Sequence, residues 1–307
     1  MSTSLSDPAH SVAAKAHARR NGILMTLVGI LILVPDTLLI RLSDMPALPL
    51  LVLRGSISGL VLLLVWMTFE RGRLWDLPRV LGREGLGVAA CYGVSTFGFL
   101  MAVETTTVAS AVSVLACIPL VAAILSRLFL GEGIKPSTLV AIAGAAVGLS
   151  LVGGGDIMAG RLVGLPWALL TAVAMAGALT ILRATPGLEV APCTGLGMFF
   201  TGLIGLTLGG RVELPAESIQ WLWIGLDSAF VVPFSFLLLF RGPRVLPAAE
   251  VGLIFLLETV LAPFLIWGVL GEFPGWMTVA GCTVVVVVLS SQGVWRIAHR
   301  KRRQLTA

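Results

Sequence analysis

Charge is scarce in this chain: of 307 residues only 12% are Asp, Glu, Lys or Arg, about half the share of a soluble domain. With 57% hydrophobic residues, lipid rather than water is the expected solvent of the fold. Histidine is scarcer still, and His10, His17 and His299 all stand in the terminal segments. No HExxH pair, phosphate loop or nucleophile elbow occurs, which argues against metal, ATP and Ser-His chemistry. The expectation is a protein that is not an enzyme and holds neither cofactor nor metal. Its four cysteines, Cys91, Cys117, Cys193 and Cys282, fall inside apolar runs without metal-ligand spacing, so packing is their role.

What is present is a series of continuous apolar runs, at roughly 22–40, 48–69, 85–103, 108–126, 137–153, 162–182, 191–210, 219–240, 246–270 and 274–295, long enough to span a bilayer. They lack the alternation of a barrel strand, so the backbone must satisfy itself as helices. The segments between them, such as Glu70-Arg71-Gly72-Arg73, Gly131-Glu132-Gly133 and Arg241-Gly242-Pro243-Arg244, carry Gly, Pro and charge and are too short for a soluble domain.

The net charge of +5 resides in these loops and in the tail cations Arg296, Arg300, Lys301, Arg302 and Arg303. That pattern describes membrane topology, with anionic lipid as neighbour and no nucleic-acid partner. A cytoplasmic N-terminus leaves only Arg41, Arg161 and Arg211 among the loop and tail cations on the outer side. Both termini are therefore expected in the cytoplasm of a bacterial inner membrane. Residues 1–21 are polar and lead into an apolar run without a small-residue cleavage site, a retained first span. Trp66, Trp75, Trp221, Trp223, Trp267, Trp276 and Trp295 stand near span ends, where indoles favour the headgroup level.

The chain looks duplicated. Gly22 and Arg41 recur 142 residues later as Gly164 and Arg183, and Gly131-Glu132 recurs 140 residues later as Gly271-Glu272, with Ala109 falling on Ala249. Five spans per copy is odd, so the second copy enters the membrane in the opposite sense. The expected fold is an all-α membrane protein of ten transmembrane helices in two inverted five-helix repeats, at 22–155 and 160–295. A cytoplasmic tail at 1–21 and a basic tail at 296–307 flank them. With Pro119 in the fourth span and Arg54 in the second, these motifs make the chain resemble the drug/metabolite transporter superfamily, in its EamA branch. The resemblance implies a ten-helix carrier, typically an exporter of amino acids or related metabolites. Pro263 lies one turn beyond the position that matches Pro119, and Pro35-Asp36 stands where many relatives look aromatic or small.

Ionisable groups at membrane depth are costly and usually face a cavity or a partner. Asp36, about five residues from the outer end of span one, and Arg54, about six or seven into span two, lie at equal depth and suit an ion pair that an arriving zwitterion or carboxylate can open, with Arg54 meeting the substrate carboxylate. Pro35 frees a carbonyl beside Asp36. Glu258, near the middle of span nine, suits binding and release of a proton or an amine. Asp227 can complete a polar vestibule with Asp36 and Arg54, or serve an interhelix contact. Glu250, behind Pro247 in the first turn of span nine, is read as a cap with a gate as the second reading. Glu132 and Glu272 are read as turn and cap residues. Ser95, Thr96, Thr180 and Gln292 can bond a ligand or their own helix carbonyls.

The resulting expectation is a secondary transporter of small polar metabolites working by alternating access, with the substrate and membrane lipid as partners. Gly55-x-x-x-Gly59, Gly144-x-x-x-Gly148 and Gly205-x-x-x-Gly209 fit close helix packing inside the bundle or a homodimer contact. A channel or lipid scramblase would want a continuous polar path, and five embedded charges are sparse for one. Gly153-Gly154-Gly155-Asp156 matches the GxGD pattern of intramembrane aspartyl proteases, but a second aspartate at membrane depth is missing beside the only tyrosine, Tyr92.

Overall fold

A computed structural model describes residues 8–106, 115, 117–133, 136, 138–140, 142–144, 146, 147, 150, 163–209, 214–271, 273, 275–277, 279–284 and 286–288. Every regular element among them is helical. Asp156, Arg161, Arg211, Glu272, Gln292, Trp295, the basic tail and much of the expected fifth and tenth spans lie outside the described residues.

The elements are α1 (Pro8–Leu33), α2 (Asp36–Ser43), α3 (Ala47–Phe69), α4 (Leu77–Thr105), α5 (Cys117–Leu130), α6 (Leu165–Ala184), α7 (Val190–Gly209), α8 (Ser218–Leu226), α9 (Val232–Leu239) and α10 (Ala248–Leu270). Joined across their kinks, they give seven helices among the described residues that are long and apolar enough to cross a membrane. Helix α1 begins well before the apolar run. Its start is rich in Ala and holds no Gly or Pro after Pro8, so the polar tail continues the helix into which it leads.

Two prolines shape the bundle at the depth of the charges. Pro35 separates α1 from α2 and leaves Asp36 in the first turn of α2, where the positive helix end favours a carboxylate. Between α8 and α9 the chain makes a π turn over Asp227–Val231, in which the Val232 N–H donates to the Asp227 carbonyl. In that register the Ser228 carbonyl would take its proton from residue 233, which is Pro233. The Ser58 hydroxyl of α3 supplies it instead, at 2.6 Å. A proline that breaks one helix is thus answered by a serine on another.

The main packing runs between the halves rather than within them. Helix α3 lies on α7, α4 on α6 and α7, α5 on α6 and α10, and α1 on α9 and α10. At Gly55 a β-carbon would stand 2.5 Å from both the Gly202 nitrogen and the Met198 carbonyl, so α3 and α7 touch backbone to backbone. Gly59 and Gly205 face the same contact, so these glycines are used inside the bundle. The repeated Gly131 and Gly271 both adopt left-handed φ, 64° and 71°, at the ends of α5 and α10.

Trp66 corrects one expectation. It is 1% exposed, beneath Gly72, and its indole N–H donates to Glu189 at 2.5 Å, because the loop after α3 folds back over it. Trp75, Trp221, Trp267 and Trp276 are exposed in the manner of interfacial indoles.

Candidate functional site

Arg54 lies on the face of α3 turned toward α2 and the π turn. One terminal nitrogen of its guanidinium stands 2.7 Å from Asp36 Oδ1 and the other 3.2 Å from Asp227 Oδ2. All three side chains are 3% exposed. The kink at Pro35 and the π turn before Pro233 therefore present their aspartates to the same guanidinium from the two halves of the chain. A fork of planar donors suits two carboxylates better than an ammonium would.

This cluster forms one wall of a small cavity. Asp36, Arg54 and Glu258 line it together with Ser95, Thr96 and Thr171, and the rest is apolar, including Phe99, Ile118, Met175, Phe236 and Phe255. The volume open to water centres is about 30 Å³, enough for one or two waters and far short of a ligand pocket. The chamber is contracted in this conformation. Glu258 is 2% exposed, makes no ion pair with Arg54, and its Oε2 has no hydrogen-bond partner among the described residues.

The hydroxyls around the chamber spend their protons on backbone. Ser95 donates to the Thr171 carbonyl at 3.2 Å, Thr96 to Tyr92 at 3.1 Å and Thr171 to Trp167 at 2.9 Å. Thr180 donates to Ala176 at 2.8 Å and does not line the cavity.

Glu250 lies elsewhere. Pro247 holds the N-cap position of α10, with no side-chain capping bond, while Glu250 Oε2 meets Arg19 at 2.7 Å. Glu250 thus stands in the first turn of α10 and also makes an ion pair, because α1 extends far enough below the apolar run to bring Arg19 alongside. Glu132 likewise meets Arg183 at 2.8 Å, and Glu70 meets Arg241 at 3.4 Å. Each pair joins the first half to the second at helix ends. A second, larger cavity of about 240 Å³ lies there, lined by Ser126, Glu132, Thr138 and Glu250.

The family comparison agrees with this architecture twice over. The model of the EamA-like transporter family matches residues 20–154 and again residues 162–290. The chain belongs to the EamA-like transporter family. It is a multi-pass membrane protein, and the family's members are transporters. A solved crystal structure, described only as that of a protein, shares the fold with TM-score 0.73 at 18% identity, covering 90% of this chain and 98% of its own. No curated protein matches the chain.

Within this EamA-like transporter, sequence reasoning passed over Tyr92, Ser58 and the Glu132–Arg183 pair. Tyr92 is fully buried and packs on Phe236 with ring centroids 4.7 Å apart. Its singularity in the chain was the available signal. Arg183 already marked the repeat, but nothing in the sequence says which carboxylate reaches it.

Proposed function

We propose that this protein is a secondary carrier of ten spans in two inverted halves, seated in a bacterial inner membrane with both termini in the cytoplasm. It exports amino acids or related small metabolites bearing an ionisable group. The observation that carries this reading is the Asp36–Arg54–Asp227 cluster. It is buried, drawn from both halves, and placed on the wall of a chamber that also holds Glu258.

Charges this deep are costly to keep. Their retention is accounted for when the chamber expands and a substrate or proton exchanges with the internal partners. The interlocked halves then rock about the cluster while the pairs Glu132–Arg183, Glu250–Arg19 and Glu70–Arg241 close the cytoplasmic side. Glu258 is the group placed to take up and release a proton in this cycle, which would couple export to the proton gradient.

The test compares metabolites released by cells overproducing the wild type, Arg54→Ala and the isosteric Glu258→Gln, with membrane levels of each protein measured in parallel. A small molecule enriched in the medium only by the wild type is the expected result. Identical profiles for all three, at equal levels in the membrane, sink the proposal.

A further inference from the structure

We infer that the chamber selects an amine with an apolar body and no carboxylate, a decarboxylated amino acid in chemical terms. The inference rests on the carrier reading above and narrows its substrates to the metabolites related to amino acids, leaving out the amino acids themselves.

Arg54 is the natural receptor for a substrate carboxylate, yet its charge is already matched. Its terminal nitrogens face Asp36 and Asp227 at 2.7 and 3.2 Å. Glu258 adds a third carboxylate to the same buried space. A substrate carboxylate would bring a fourth acid to one guanidinium in a chamber with room for only one or two waters, and like charges in low dielectric repel strongly. Among the described residues, Nε and one terminal nitrogen of Arg54 lack a hydrogen-bond partner, but that terminal nitrogen keeps its ion contact with Asp227, and a hydrogen bond from either brings no further positive charge.

The hydrogen-bond balance points the same way. Ser95, Thr96 and Thr171 have committed their protons to carbonyls. These hydroxyls therefore offer a ligand acceptors, and beside them stands Glu258 Oε2, which has no hydrogen-bond partner among the described residues. A primary ammonium brings three donors and one positive charge to that oxygen. The aromatic faces of Phe99, Phe236 and Phe255 suit a cation carried on an apolar body. Since the chamber now holds only water-sized guests, such a ligand enters as the halves part.

Three probes of one shape separate the charge classes: 2-phenylethylamine, phenylalanine and phenylacetate. Tritiated 2-phenylethylamine is bound to the purified full chain in detergent, and the unlabelled three compete for it. The amine is expected to displace the label about tenfold more effectively than either of the others, the worth of one charge-assisted hydrogen bond. Glu258→Gln should lose about tenfold or more in affinity, and Glu258→Asp should retain part of it. Size-exclusion profiles matching the wild type show that each variant is folded.

Tighter binding of phenylalanine or phenylacetate overturns the inference, as does undiminished amine binding by Glu258→Gln or the absence of saturable amine binding. In any of these cases the release experiment still decides the carrier reading separately. Metabolite export without amine binding leaves the carrier standing and removes the amine class alone.

Discussion

Replacing Arg54 by alanine removes the guanidinium from between Asp36 and Asp227 and leaves two carboxylates, each 3% exposed, without the cation that joins them. Deleting one partner of a buried pair costs about 3–5 kcal/mol, because the desolvated charge that remains is uncompensated. Large domains lose about 2 °C of melting temperature per kcal/mol, so a fall on the order of 6–10 °C is expected for the purified protein in detergent, followed by fluorescence-detected size exclusion. The triple variant Asp36→Asn, Arg54→Leu, Asp227→Asn removes every charge of the cluster while keeping most of its volume. Neutral replacements of a whole buried ion set are often as stable as the original. The triple variant should therefore melt well above Arg54→Ala while remaining inactive in metabolite release. If Arg54→Ala melts within about 1 °C of the wild type, the desolvation argument fails. A triple variant no more stable than the single one would mean that lost packing, rather than stranded charge, caused the fall.

Three further outcomes follow from other parts of the fold. Ser58→Ala should lower stability by about 1–3 kcal/mol, since it strands the Ser228 carbonyl that Pro233 cannot serve; an unchanged melting curve would show that water reaches this carbonyl. Gly55→Ala should abolish folded protein, because its new methyl group would sit 2.5 Å from the backbone of α7, whereas Gly268→Ala, with nothing within 4 Å, should be neutral or mildly stabilising; expression and monodispersity of the two compare the cases directly. In a background with the native cysteines replaced, Ser126→Cys should react slowly with an impermeant maleimide applied from the cytoplasmic side. Glu132→Gln should speed that reaction about twofold to fivefold, the range set by a partly exposed ion pair, and an unchanged rate would show that Glu132–Arg183 does not hold the larger cavity closed.

Much of this molecule was legible before any fold was seen. Scarce charge and apolar runs of bilayer length dictate membrane helices. The recurrence of Gly22…Arg41 as Gly164…Arg183, and of Gly131-Glu132 as Gly271-Glu272, carries the duplication, which the family match reproduces on both halves. Asp36, Arg54, Asp227 and Glu258 could be singled out because an ionisable group within an apolar run is costly wherever it ends up. The ion pair of Glu250 with Arg19 was not legible because the N-terminal extension of α1 carries no periodic apolar signal, so the reach of Arg19 could not be foreseen. Trp66 was misread because proximity to a span end does not say which way an indole turns.

The sequence by itself determined the solvent, the helical class, the repeat and the roster of embedded charges, since these depend on composition and spacing along one dimension. Only the tertiary structure decided which charges meet. The Pro35 kink and the π turn before Pro233 rotate Asp36 and Asp227 toward one guanidinium. The contact of Gly55 with α7 brings α3 of the first half directly onto the second half. Glu258 shares their chamber without an ion pair to Arg54. Such pairings depend on angles and distances between segments, most of them more than a hundred residues apart, and hydropathy carries no information about those.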